Sequence, residues 1–280
     1  MSPDRRSSPP AHIADALRRA RPELDGLGRD LHYFTEVGST NDVAARLAAD
    51  GVPDGTAVLA ASQTAGRGRR GRSWYSPPGA GIYLSLILRP VPGSADQGGV
   101  SLVTLMAGGA AAEAVERAAT VVPALKWPND LVVVRSGPSG VERRKLAGIL
   151  AEGAAVGGVV SSVVLGIGIN VRPSAYAPDL AGIVTSLEAE RGGAVDDAAV
   201  VAELLAALAR GRRDLAAGAT SRVLDRWRHY AGAMLRRRVT FAGSEGPVEG
   251  VAEDVDETGA LVVSTARGPV RVVAGEVHWS

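Results

Sequence analysis

Residues 62–76 combine side chains that bind anions with a backbone that can approach a ligand closely. Their sequence is SQTAGRGRRGRSWYS, in which four arginines alternate with three glycines before Trp74 and Tyr75. Arginine donates in a planar, bidentate geometry that suits carboxylates and phosphates. Glycine removes the steric barrier to close approach, and an indole offers a flat face to a purine or a cation. The pattern predicts a cationic ligand-binding loop, with a solvated basic loop or a nucleic-acid contact as the alternatives.

A second polar segment lies beside apolar sequence at residues 124–130, which read ALKWPND and precede an apolar run at 131–134. Proline, asparagine and aspartate are common in β-turns, so a turn between two strands explains those three residues. It leaves Lys126 and Trp127 unexplained. We therefore expect this junction to contribute polar groups to a site.

Lys145 begins a third segment, KLAGIL, which is predicted to be a buried strand. Gly148 in that strand lets a ligand lie against the backbone, and the segment GIGIN at 166–170 has the same small residues. GSTN at 38–41 predicts a helix start with Ser39 or Thr40 as the N-cap. Free amides at a helix start can bind an anion, although capping alone explains the motif.

Several kinds of site are excluded by what the sequence lacks. There is no cysteine, the four histidines have no metal-ligand spacing, and no Gly-Lys-Ser/Thr phosphate loop is present. The GxGxxG spacing of the arginine segment is followed by a predicted strand, so it fails as a dinucleotide fingerprint. The remaining cations suit a reaction between two anions, whose repulsion fixed positive charge offsets. Carboxylate adenylation fits, as does other phosphate chemistry.

The composition is that of one globular domain, alone or with a small appended one: 280 residues, 46% hydrophobic, with a net charge of +1. Near-neutral charge gives no overall basic field for non-specific nucleic-acid binding. The polar N-terminus predicts no signal peptide. The uncharged run at 153–171 predicts two strands around Gly157 and Gly158 rather than a membrane span. We expect a cytoplasmic protein.

The remaining pattern predicts an α+β fold: a body of mixed strands and helices followed by short β segments. Residues 1–10 are predicted to be disordered, and 135–144 to be an exposed hairpin tip. Helices are predicted at 11–20, 41–49, 100–118, 198–217 and 221–230. Strands are predicted at 31–36, 56–61, 82–88 (ended by Pro90 and Pro92), 131–134, 145–152 and 159–169. Short strands at 238–242, 247–254, 260–265 and 269–273 predict a small β-barrel.

Five of these segments occur in one order, GSTN, QTAGRGRRGRSW, KWPND, KLAGIL and GIGIN, and together they resemble the biotin protein ligase family. The resemblance runs from about residue 31 to 280. It implies a mixed sheet with flanking helices, similar to class II aminoacyl-tRNA synthetase cores, plus a small SH3-like barrel. The implied divisions are a tail at 1–30 with a possible short helix, a catalytic biotin- and ATP-binding domain at 31–233, and the barrel at 234–280.

The resemblance implies a ligase with two steps. Biotin's carboxylate attacks the α-phosphorus of ATP, with Mg2+ expected to accompany the nucleotide, and gives biotinyl-5'-AMP. A lysine on the biotin carboxyl carrier domain of an acyl-CoA carboxylase then takes the biotinyl group. About twenty residues before the first strand cannot hold a helix-turn-helix domain, so neither a DNA partner nor a membrane partner is expected. A monomer or a weak, ligand-linked homodimer is expected.

Site residues follow from the matched motifs, with no metal site made by the protein alone. The implied biotin contacts are Ser39, Thr40, Asn41, Gln63, Gly66, Arg67, Gly68, Lys145 and Gly148. The implied nucleotide contacts are Arg69, Arg70, Arg72, Trp74, Lys126, Asn129 and Asn170. The implied catalytic residues are Lys145, which bridges carboxylate and α-phosphate, Arg69, which retains the adenylate, and Asp130, near the incoming lysine.

Three alternatives stay open. A lipoate or octanoate ligase shares the implied fold, although the arginine loop, KWPND and KLAGIL favour biotin. A non-catalytic sensor of biotinyl-adenylate would keep the same pocket and would need a nucleic-acid domain. An RNA-binding barrel would use Arg236, Arg237 and Arg238, which near-neutral net charge makes more typical of a solvated strand flank.

Overall fold

The computed structural model describes residues 6–89, 99–137, 140–156, 159–243 and 246–280. The predicted disorder of residues 1–5, the strand-ending prolines Pro90 and Pro92, and the turn at Gly157 and Gly158 lie outside these residues. The helices are α1 (Ala11–Ala20), α2 (Thr40–Ala49), α3 (Gly99–Ala119), α4 (Leu187–Arg191), α5 (Asp197–Ala216) and α6 (Thr220–Ala231). Short 3-10 turns occur at Arg21–Glu23, Arg69–Gly71, Pro173–Ala175 and Pro178–Leu180.

The first sheet has eight strands in the order β1-β2-β3-β4-β8-β7-β6-β5. Only the pair β2 and β3 is parallel, and the other neighbours are antiparallel. The strands are β1 (Arg6–Ser7), β2 (Leu31–Phe34), β3 (Ala57–Ala60), β4 (Gly81–Leu88), β5 (Ala124–Lys126), β6 (Asp130–Gly137), β7 (Gly140–Val156) and β8 (Val159–Asn170). Long antiparallel strands and flanking helices make this a mixed sheet in an α+β fold.

The two faces of this sheet are covered by different helices. Successive side chains in a strand point to opposite faces, so Leu59 joins the large core that α1, α3, α5 and α6 cover. Val58 and Ala60 point the other way and pack with Val43 and Ala44 of α2. Helix α2 covers less of the sheet than the large helices do, and the polar site lies on the α2 face.

A second sheet of five antiparallel strands follows, in the order β12-β11-β10-β9-β13. Its strands are β9 (Arg238–Gly243), β10 (Gly246–Val255), β11 (Leu261–Thr265), β12 (Gly268–Val272) and β13 (Val277–Trp279). Its apolar side chains belong to the same buried core as the first sheet. Trp127, which a turn did not explain, is 3% exposed and donates its indole N–H to the carbonyl oxygen of Gly259 at 3.0 Å. The KWPND segment is thereby fixed to the second sheet.

The structure confirms the predicted helices and strands and corrects three details. Disorder is wrong for Arg6 and Ser7, which pair with Phe34 and Tyr33 as β1. The predicted hairpin tip at 135–144 is mostly strand, because β6 and β7 pair as far as Gly137 and Gly140. Strand β13 and helix α4 were not predicted. Among the described residues no helix is long and apolar enough to cross a membrane.

Candidate functional site

The arginine loop connects β3 to β4 and folds back on itself at the edge of the α2 face. The amide of Trp74 donates to the carbonyl oxygen of Gly66 at 2.8 Å, and the amide of Gly68 donates to that of Arg72. Gly66 is required for this fold, since a Cβ there would lie 2.4 Å from the carbonyl oxygen of Trp74. Arg70 has a φ of 58° and Gly71 a φ of 72°, so the loop reverses direction at these two residues, between Arg69 and Arg72.

A small cavity of about 60 Å³ lies under this loop. Eight of the nine predicted biotin residues line it: Ser39, Thr40, Asn41, Gln63, Arg67, Gly68, Lys145 and Gly148. The ninth, Gly66, supports the loop above it through its contact with Trp74. The sheet supplies Tyr83 from β4 and the glycines of GIGIN from β8. Residues far apart in sequence are therefore brought together as predicted.

Hydrogen bonds join the polar residues of this cavity into one chain. The carboxamide oxygen of Gln63 accepts from the amide of Thr40 at 2.9 Å and lies 3.1 Å from the hydroxyl of Thr40. The hydroxyl of Ser85 lies 2.8 Å from that of Thr40 and 2.7 Å from the carboxamide oxygen of Asn41. Asn41 donates to Glu152 at 3.0 Å. Buried polar groups linked in this way hold one arrangement.

The side chain of Arg67 does not point at the space expected for the biotin carboxylate. Its guanidinium donates to Glu152 at 2.5 and 3.1 Å and to Asp42 at 2.7 Å. Burial lowers the pKa of Arg67, but the two carboxylates outweigh burial and raise it. Its charge is therefore already paired, and only its position beside the cavity matches the prediction.

A larger cavity of about 360 Å³ adjoins the first one. All seven predicted nucleotide residues line it: Arg69, Arg70, Arg72, Trp74, Lys126, Asn129 and Asn170. The second sheet closes one side, where Glu276 accepts from Arg72 at 2.6 Å and from Arg70 at 3.4 Å. Asn170 is 2% exposed and donates to the carbonyl oxygen of Thr185. This bond fixes the segment after β8 that forms another wall.

Lys145 stands where the two cavities meet, and a β-bulge turns it into the site. Positions three apart in a regular strand face opposite sides of a sheet, yet Lys145 lies against Gly148. The pairing of β6 with β7 shifts between Leu131 and Val132, which re-aims the lysine. Its ammonium lies 2.6 Å from the carboxylate of Asp130 and 5.4 Å from the centre of the Trp74 ring.

Several cations share this junction with few anions. Burial lowers the pKa of Lys126, and Lys145 lowers it further while Asp130 raises it. Burial also lowers the pKa of Arg69, with Arg70 adding to the effect. Arg69 donates to the carboxamide oxygen of Asn129 at 3.0 Å. Cations held close together and partly out of water favour an anionic ligand.

The indole of Trp74 covers two glycines that face each other across β7 and β8, Gly148 and Gly168. A Cβ on Gly168 would lie 2.7 Å from the indole, and one on Gly148 would lie 3.1 Å from it. The indole nitrogen is buried without a hydrogen-bond partner. Both glycines therefore provide room for the Trp74 indole against the sheet, whereas the prediction for Gly148 was room for the ligand.

Sequence reasoning missed Asp42, Ser85, Glu152 and Glu276. Glu152 carries the clearest signal, because it is a charge at the end of a predicted strand whose residues 146–151 are uncharged. The other three have ordinary surface or strand neighbours in sequence. Among the residues that the structure describes, no three His, Cys, Asp or Glu side chains are grouped to hold a metal ion.

Comparisons with known proteins agree with this arrangement. Residues 33–170 match the model of the biotin/lipoate A/B protein ligase family, and residues 237–278 match that of the biotin protein ligase C terminal domain. The bifunctional ligase/repressor BirA of Bacillus subtilis is 32% identical over 96% of this chain and 80% of its own. The biotin--[acetyl-CoA-carboxylase] ligase of Mycobacterium tuberculosis is 36% identical over 93% of this chain and 94% of its own.

A solved structure extends the similarity to the whole fold. The biotin protein ligase from Aquifex aeolicus, in complex with biotin and ATP, superposes with a TM-score of 0.70 at 25% identity. The match covers 90% of this chain and 98% of that one. Both the catalytic fold and the C-terminal sheet are thus shared with biotin protein ligases. The chain belongs to the biotin/lipoate A/B protein ligase family.

Proposed function

We propose that this protein is an ATP-dependent biotin–[biotin carboxyl carrier protein] ligase. It activates biotin to biotinyl-5'-AMP and transfers the biotinyl group to a lysine of a carrier domain in a biotin-dependent carboxylase. The observation that carries the proposal is the junction of the two cavities, since Gly68, Arg69, Trp74, Asn129 and Lys145 line both. A carboxylate held in the small cavity and a nucleotide in the large one would meet beside Lys145.

In the first step, the polar chain at Thr40 and Gln63 matches the donors and acceptors of biotin's ureido ring. The carboxylate then lies toward Lys145, and its attack on the α-phosphorus expels pyrophosphate. Negative charge grows on the transferring group, and the Lys145 ammonium stabilises it. For this, the ammonium of Lys145 must leave the carboxylate of Asp130 and contact the substrate instead. The cationic wall offsets the repulsion between the two anionic substrates.

Mg2+ enters as part of the ATP substrate. Magnesium keeps several waters and is held by substrate phosphates and one or two carboxylates, so a protein cluster of three ligands is not required. Asp130 and Asn129 line the nucleotide cavity and offer the oxygen donors that fit this ion. When bound, it neutralises phosphate charge.

In the second step, the amine of the carrier lysine attacks the carbonyl carbon of the mixed anhydride and AMP leaves. The amine must lose a proton to become a nucleophile. Asp130 is a carboxylate beside Lys145, and this contact supports a position near the reacting carbonyl. We propose that Asp130 orients the incoming lysine. Arg69, held by Asn129, retains the adenylate beneath the loop until the carrier arrives.

The wider context of the proposal concerns domains, partners and location. Residues 31–233 would supply the chemistry, 234–280 would close the nucleotide cavity through Glu276, and 1–30 would support the body through α1. The near-neutral net charge of +1 argues against a DNA partner. A monomer or a weak homodimer linked to ligand binding is proposed. A cytoplasmic location is proposed, and the use of ATP and of carboxylase carriers supports it.

The test is transfer to a purified biotin carboxyl carrier domain. The protein, biotin and Mg2+-ATP are incubated with the carrier, and biotinylation is measured by streptavidin blot and intact mass. The matched control is the same carrier with its acceptor lysine replaced by arginine. One biotinyl group on the native carrier and none on the control is expected. No modification of either carrier would contradict the assignment.

A further inference from the structure

Glu152 is not among the residues predicted to touch substrate, yet it accepts hydrogen bonds from Arg67 of the arginine loop and from Asn41, and both of these residues line the small cavity. One of its oxygens accepts from Arg67 at 2.5 Å. The other accepts from Arg67 at 3.1 Å and from Asn41 at 3.0 Å. Glu152 lies on β7 and faces the same side of the sheet as Gly148, because four residues separate them. It therefore joins the loop to the sheet beneath it.

A carboxylate at this place dictates how the Asn41 amide is oriented. An ionised carboxylate can only accept hydrogen bonds, so the amide NH2 must face Glu152 and the carboxamide oxygen must face Ser85. Asn41 has no room to move away, since its oxygen lies against the backbone of Gly166, where a Cβ would approach it within 2.1 Å. Ser85 must then donate its single proton to Asn41.

The same order of protons continues to Thr40. With its proton committed to Asn41, the hydroxyl of Ser85 can only accept from Thr40, 2.8 Å away. The hydroxyl of Thr40 therefore donates its single proton to Ser85, and a lone pair of that hydroxyl is available to the cavity. A ring N–H of the ligand requires such an acceptor. The charge of Glu152 thus sets a donor and acceptor pattern three side chains away.

We propose that Glu152 is a positioning residue for biotin recognition. It fixes the donor and acceptor order of the head-group cavity through Asn41, and it holds the start of the arginine loop through Arg67. The proposal rests on the proposed function, because it concerns how that same cavity recognises the ureido ring. Its effect is expected to fall on biotin and to leave the nucleotide cavity unchanged, because its partners Asn41 and Arg67 line the small cavity and not the large one.

The first variant is Glu152→Gln, which keeps the shape and removes the charge. Pyrophosphate exchange is measured at varied biotin and varied ATP, and the melting temperature is recorded. The expected result is a biotin KM raised about tenfold, which corresponds to about 1.4 kcal/mol, because hydrogen bonds to a charged group are stronger than those to a neutral one. The ATP KM and kcat stay within about twofold of the wild type. The matched control is Glu142→Gln, also on β7 and paired with Arg144 at the surface.

Exchanging the amide and the carboxylate between positions 41 and 152 tests whether Glu152 acts through the order of hydrogen bonds or only supports the fold. Asn41→Asp alone places two carboxylates together and is expected to raise the biotin KM as Glu152→Gln does. In the double variant Asn41→Asp/Glu152→Gln, the amide at 152 donates to the carboxylate at 41, which still accepts from Ser85. The double variant is expected to recover a biotin KM below that of either single variant.

Two results would overturn the proposal: an unchanged biotin KM in folded Glu152→Gln, or a double variant that is worse than both single ones. If Glu152→Gln does not fold, Asn41→Asp and the double variant give the same decision. Failure of the proposed function looks different, because the wild-type protein itself would then show no biotin-dependent exchange.

Discussion

The ammonium of Lys145 lies 2.6 Å from the carboxylate of Asp130 because a β-bulge turns the lysine onto the face that Asp130 and Gly148 share. This pair separates the two half-reactions. Lys145→Ala removes the cation that stabilises developing charge, so biotin-dependent pyrophosphate release is expected to fall about 100-fold or more. Near-normal release would remove Lys145 from the site.

Asp130→Asn is expected to slow the transfer of biotin to the carrier more than the release of pyrophosphate. Loss of the carboxylate frees Lys145 for the anionic substrates, so pyrophosphate release falls less than in Lys145→Ala. Transfer of biotin from preformed adenylate to the carrier falls more, because the group that orients the incoming amine is gone. The two rates are measured separately in single turnovers. Equal loss in both rates would contradict this division.

Arg69→Gly is expected to keep adenylation and release the intermediate. Arg69 reaches across the junction to Asn129, and without it the loop no longer covers the adenylate. A free acyl-adenylate reacts with any exposed lysine, so albumin added to the reaction should become biotinylated. The measurement is streptavidin binding to albumin. Loss of adenylation without albumin labelling would contradict the retaining role.

Gly168→Ala tests the space beneath Trp74. The added methyl group would lie 2.7 Å from the indole, so the ring must shift and the trough over the sheet narrows. The expected result is a biotin KM raised roughly tenfold, in line with the about 1–3 kcal/mol that overpacking costs. Gly193→Ala is the control, since nothing lies within 4 Å of its Cβ position. Equal KM values for the two variants would contradict the assignment.

The carboxylate of Asp256, in the turn that contains Gly259, is expected to make the stability of the fold depend on pH. Burial raises the pKa of Asp256, but hydrogen bonds from Arg271 and Thr258 outweigh it and lower the pKa from 3.8 to about 2. Because the pKa is lower in the folded chain than in the unfolded chain, the ionised carboxylate stabilises the fold at pH values above the unfolded pKa. This contribution is lost as the pH falls from about 4 to about 2. Asp256→Asn should therefore lower the urea midpoint at neutral pH.

The difference between wild type and Asp256→Asn should narrow over that same acid range, as measured by urea unfolding at several pH values. A constant difference down to pH 2 would show that the Asp256 carboxylate is not responsible.

The sequence predicted the helices and most strands, because hydrophobic periodicity and glycine placement determine them locally, whereas the grouping of the motifs followed from the resemblance to biotin protein ligases. It could not predict the bulge at Leu146, directly after Lys145, since a regular strand would have pointed Lys145 and Gly148 apart. It also missed Glu152, whose partner Arg67 is 85 positions away. The strand at Arg6 has only two residues, which is too short for a hydrophobic periodicity to be recognised. Contacts made by tertiary packing leave no local pattern.

The most direct test of the whole account is biotin-dependent exchange of labelled pyrophosphate into ATP by the wild-type protein, with lipoate and octanoate as parallel substrates. The account predicts rapid exchange with biotin and background exchange with the other two acids. Exchange with lipoate or octanoate in place of biotin would assign the protein to the other branch of its family. Exchange with none of the three acids would contradict adenylation at this site.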